Sequence, residues 1–61
     1  MKTTKDIKEA FPGVSTKTTG SKGVWQCEVR LNGEVFAVGI GPSLAKAEDT
    51  AFYGCVITAR G

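Results

Sequence analysis

Apolar and polar residues alternate most regularly in the middle of the chain, where residues 24–31 (VWQCEVRL) and 34–40 (EVFAVGI) flank Asn32-Gly33. A period of two marks half-buried strands, and Asn-Gly is the preferred pair for a two-residue type I′ hairpin turn. A turn of that length pairs Leu31 with Glu34, Val29 with Phe36, Cys27 with Val38 and Trp25 with Ile40. Directly opposed residues share a face. The predicted core face therefore carries Trp25, Cys27, Val29, Leu31, Phe36, Val38 and Ile40. The opposite face carries Gln26, Glu28, Arg30, Val35, Ala37 and Gly39 and meets solvent or a ligand.

The flanking segments follow other periods. Residues 3–11 predict a short helix: Thr3 or Thr4 caps it, Asp6 suits its first turn, and Ile7, Ala10 and Phe11 form one apolar stripe. Pro12-Gly13 ends it, and nine residues hold a helix in water only by docking on something else. The β-branched run at 14–19 predicts a first strand with Val14, Thr16 and Thr18 on one face, followed by a loop at 20–23. Ser43 is the expected N-cap of a last helix reaching about Arg60. Its buried stripe is Leu44, Ala47, Ala51, Cys55 and Thr58, whose small side chains let a helix lie close to a sheet. Phe52 and Val56 flank that stripe and are placed to meet Ile7 and Phe11. The fold class expected is α+β, a three-stranded antiparallel sheet on a C-terminal helix, in the order α-β-β-β-α.

Composition narrows what such a domain can do. With 61 residues, 41% of them apolar and 23% charged, the chain is expected to form one globular domain too small for a roomy active site. It has no histidine, which excludes His-based triads, His metal ligands and imidazole switches. Two cysteines, Cys27 and Cys55, are too few for a disulfide framework or a four-ligand zinc site. Both point inward by period, as inert thiols, with a single Cys27–Cys55 bridge as the alternative. The first residues form no apolar run of the signal-peptide kind, and no stretch reaches the ~20 apolar residues that span a bilayer. A cytoplasmic protein is expected, not an enzyme, with no cofactor, metal, membrane or small-molecule substrate.

The net charge is only +2, but it is uneven, with +3 over residues 1–23 and −1 over residues 24–61. A polyanion would be met mainly by the first third. The expected nucleic-acid contacts are Gln26 and Arg30, which suit base edges, and Lys17, Lys22 and Lys46, which suit phosphates. Ala37 and Gly39 would leave a flat landing place beside them, and Glu28 stands in the middle as a repulsive charge or an acceptor for a cytosine amino group. The run Gly39-Ile40-Gly41-Pro42-Ser43 opens the last helix and offers backbone N–H groups, but a leucine at 44 and the lack of a βαβ unit rule out a dinucleotide fingerprint. That helix is apolar nearly all round near its end, with Tyr53 and Ile57 left over from a one-sided stripe, and strand 34–40 would be a sheet edge whose only charge is Glu34. Phe52, Tyr53, Val56 and Ile57 are therefore candidates for self-association into a homodimer or for a protein partner.

Two resemblances bear on these motifs. Residues 23–51, through Trp25, Cys27, Val29, Gly33, Val38, Gly39 and Ala47, resemble the sheet-plus-helix DNA-binding domains of plant ethylene-response factors, phage integrase arm-binding domains and phage homing endonucleases. That likeness implies a DNA-binding accessory protein of phage or mobile-element type, although the first strand carries Lys17 alone where those families are rich in arginine. The whole chain also resembles the double-stranded RNA-binding domain, in element order and in Gly39, Gly41, Ser43, Ala47 and Ala51. Leu44, Ala45 and Glu48 stand where that family keeps its helix-start lysines, and Gly23 lies near the place of its loop histidine. This second likeness therefore implies the dsRBD-like fold more than the RNA activity. A DNA or RNA duplex is the first partner expected. A protein-interaction or dimerisation module on the same fold is the alternative.

Overall fold

The computed structural model describes residues 1–61. Helix α1 (Thr4–Ala10) leads into strands β1 (Val14–Ser21), β2 (Val24–Leu31) and β3 (Glu34–Gly41), and helix α2 (Leu44–Arg60) closes the chain. The strands form an antiparallel meander in the order β1-β2-β3, and α2 packs mainly on β3 and β2. The fold is α+β, with the element order read from the periodicity.

Local chemistry accounts for the boundaries. Asn32 and Gly33 take φ of 54° and 81°, the left-handed pair that a type I′ turn requires. Ser43 caps α2, its Oγ accepting the Lys46 N–H at 3.2 Å. The Asp6 carboxylate turns back on α1 and accepts the Thr3 N–H at 2.8 Å and the Thr3 hydroxyl at 3.0 Å. The first strand is longer than its β-branched run, because pairing with β2 carries it through Ser21 and leaves only Lys22-Gly23 as the turn.

The β2–β3 ladder departs from the expected register. Leu31 faces Glu34 and Arg30 faces Val35, but Val29 then faces Ala37, Cys27 faces Gly39 and Trp25 faces Gly41. The irregularity between Val29 and Arg30 leaves Phe36 as one extra residue on β3, a β-bulge that exchanges the faces of every later position. Val38 and Ile40, expected in the core, are 42% and 60% exposed on the open face. Ala37 and Gly39, expected to meet solvent, are buried under α2. The cause is α2. A Cβ on Gly39 would overlap the Ala47 carbonyl oxygen and the Ala51 nitrogen, so only a glycine lets the helix lie this close.

The core is small: Ile7, Cys27, Val29, Ala37, Ala47, Ala51 and Cys55, with Phe11, Val14, Trp25, Phe36 and Phe52 packed around it. Phe11 links the layers, its ring 5.9 Å from Phe36 and 6.1 Å from Phe52. Trp25 is only half-buried, and the expected stripe of α2 is confined to Ala47, Ala51 and Cys55, since Leu44 and Thr58 at its ends are exposed. Two contacts tie the N-terminal segment to α2: the Lys2 N–H, ahead of α1, donates to Asp49 Oδ1 at 2.9 Å, and the Thr4 N–H of α1 donates to Glu48 Oε1 at 3.2 Å. The first residue of the short helix thus has its free N–H satisfied by another element, and Asp6 of the helix itself takes the Thr3 N–H.

Candidate functional site

The helices leave one face of the sheet uncovered. Alternation places Ser15, Lys17 and Thr19 of β1, Val24, Gln26, Glu28 and Arg30 of β2, and Val35, Val38 and Ile40 of β3 on it. The face is divided: its β1 side is polar, and its β3 side is a row of branched apolar side chains.

Three of the five expected nucleic-acid contacts, Lys17, Gln26 and Arg30, share this face. Lys17, Thr19, Gln26 and Glu28 line a shallow depression of about 110 Å³. Glu28 sits directly across from Lys17 in the ladder. Arg30 is engaged within the protein: its Nε is 2.7 Å from Glu28 Oε1, and its Nη1 donates to the Gly33 carbonyl at 3.3 Å. A base edge would have to compete with both partners. Lys22 lies in the β1–β2 turn, at one end of the face. Lys46 does not join the others. Its stem lies over Gly41 on the helix side, where an added Cβ would be 2.7 Å from the lysine Cγ. The flat landing place is gone as well, since Ala37 and Gly39 lie under α2 and Val38 and Ile40 project in their stead.

The four residues expected to self-associate are also divided. Phe52 is half-buried against Phe11, and Val56, one turn further on, is half-buried too. Tyr53 stands edge-on to Phe52, with 5.5 Å between ring centroids, and borders a hollow of about 270 Å³ with Met1, Lys2, Asp6 and Asp49. Tyr53 and Ile57 are the exposed pair, at 53% and 71%.

The glycine-containing junction at 39–43 serves packing and capping, with Gly39 and Gly41 against α2 and Ser43 as its cap. Cys27 and Cys55 are buried free thiols. Burial pushes both up from the ordinary thiol range, with Glu48 and Cys55 adding to the effect at Cys27.

No family model, curated protein or solved structure matches this chain. No helix is long and apolar enough to cross a membrane.

The apolar row on the open face runs against the simple alternation of β3. A signal for it was present: Ala37, Gly39 and Gly41 are the only run of small residues on β3, and the small stripe of α2 demands small residues opposite. The bonds from Thr4 and Lys2 to Glu48 and Asp49 had no local signal, because those acceptors lie 44 and 47 positions away from their donors.

Proposed function

We propose that this chain is a non-catalytic protein-interaction module that accepts a partner's strand along β3. One observation carries the reading. β3 is an outer strand of the sheet, and its open-face residues Val35, Val38 and Ile40 are all exposed. An outer strand presents unpaired N–H and C=O groups, and its flanking side chains select the partner. The other outer strand, β1, carries Lys17 and five Ser or Thr residues and fits an apolar partner poorly. Catalysis has little to work with: the chain lacks histidine, and the thiols are buried and held protonated.

The test is a displayed library of random peptides selected on the intact protein and on Val38→Lys/Ile40→Lys. Enrichment of alternating apolar sequences on the wild type and not on the variant is expected. Equal enrichment on both, or no enrichment on a chain that stays monomeric, overturns the reading.

A second reading has its own support, in Lys17, Gln26 and Arg30 sharing one open face beside Thr19. On it, the β1–β2 side of the sheet docks on a nucleic-acid duplex, as the resemblance to sheet-type DNA-binding domains implies. Duplex affinity measured at two salt concentrations decides this: a falling affinity with a slope that drops by about one unit in Lys17→Ala supports it. Absence of binding at ~50 mM salt removes it.

A further inference from the structure

We infer that the strand added to β3 is the β3 of a second copy of this chain, giving a two-fold dimer with one continuous six-stranded sheet. The inference rests on the strand-addition reading above and names its partner.

The pattern of β3 is self-complementary in antiparallel pairing. With Val38 facing the partner's Val38 across the two-fold axis, Gly39 faces the partner's Ala37. The bulge at Phe36 then takes up one residue, so that Ile40 faces the partner's Val35 and Gly41 faces the partner's Glu34. This is the frame β3 already presents to β2, so each residue meets one from its own side of the sheet. The exposed valines and isoleucine of both copies then form one apolar patch at the centre of the joined open face. A two-fold axis between the two β3 strands makes this a closed arrangement that ends at two copies.

Charge favours this edge. Glu34 is the only charged residue of β3. It faces Leu31, on the helix side of the sheet, and in the pairing it reaches the partner's Gly41, over which the stem of the partner's Lys46 lies. Symmetry makes the Glu34–Lys46 approach twice. Self-pairing of β1 around Lys17 would instead set two lysines against each other, a destabilising arrangement.

The helix layer converges on the same edge. Glu48 and Phe52 turn one flank of α2 toward α1. Gly54 lies on the other side, over Ala37 and the Val38 carbonyl. Ile57 is three residues beyond Gly54, on that same flank. The most exposed apolar residue of α2 and the apolar row of β3 therefore border one free edge from its two sides.

Sedimentation equilibrium of the intact chain tests this. The expected mass rises with concentration from one chain to two and no further, with a Kd of roughly 1–100 µM for so small an interface. Val38→Lys, an exposed position, is expected to keep the monomer's circular dichroism and weaken dimerisation at least tenfold. Glu34→Lys is expected to weaken it roughly threefold, and Glu34→Lys/Lys46→Glu to restore it. A single-chain mass up to millimolar concentration overturns the inference, and so does a dimer indifferent to Val38→Lys or to the charge exchange. The peptide selection separates the two failures: enrichment on β3 with a monomeric chain leaves strand addition standing with another partner, and the absence of both ends the two proposals together.

Discussion

Gly39 lies directly beneath Ala51, so close that a methyl group on the glycine would occupy the space of the Ala51 backbone nitrogen. This one approach decides which side of β3 is core. It also decides that Ile40, its neighbour, stands in solvent.

Substitution at these two adjacent positions should have opposite outcomes. Gly39→Val forces α2 off the sheet and is expected to cost about 3 kcal/mol or more, most of the stability of a domain this small. Ile40→Ser changes an exposed side chain and is expected to stay within about 0.5 kcal/mol. Urea denaturation of both variants checks this. Under the unbulged register the ranking would be reversed, because Ile40 would be core.

Glu48 holds the start of α1 from a distance. Glu48→Ala leaves the Thr4 N–H without its acceptor and is expected to lower stability by about 1 kcal/mol, in the range for loss of a helix cap. Glu48→Gln keeps an acceptor oxygen and should recover most of that. Amide exchange in residues 4–7 should accelerate in the alanine variant first, ahead of the strands.

Acid should loosen α1 before it unfolds the sheet. Hydrogen bonds from the Thr3 N–H and hydroxyl hold the Asp6 carboxyl below its ordinary value, with Lys2 and Lys5 adding to the shift. A depressed folded-state value means that the stabilisation is complete above the unfolded value. It is lost as pH falls through the folded value, below pH ~4. Chemical shifts of Thr3 and Asp6 should titrate together there, and Asp6→Asn should abolish that step.

The two thiols should be silent in the folded protein. Cys27 and Cys55 are fully buried and their ionisation is pushed upward, so a thiol-exchange reagent at pH 8 should react only as fast as the chain opens. Because the raised values belong to the folded state, the unfolded chain ionises first. Stability should then fall as pH rises from about 8.5 toward the folded values. Rapid labelling of either cysteine without loss of structure would contradict their burial.

Much of the architecture is a local matter and was legible along the chain. Asn32-Gly33 sets a type I′ turn because both residues tolerate positive φ, and Ser43 opens α2 because its hydroxyl reaches the Lys46 N–H. The spacing of Ala47, Ala51 and Cys55 gives the inward side of α2, and the length of the Asn32-Gly33 turn leaves Leu31 opposite Glu34. These follow from a few neighbouring atoms. The faces of β3 beyond Phe36 do not. Alternation alone is compatible with either side facing in, and the bulge that chooses between them satisfies α2, whose buried alanines require Ala37 and Gly39 opposite and admit no branched side chain there. The same long-range packing places Lys46 across the sheet from Lys17, and draws Phe52 toward Phe11 while leaving Ile57 exposed. Sequence periodicity determined the elements and their order. Which residues of the last strand face a partner was decided only when a helix of small side chains settled on it.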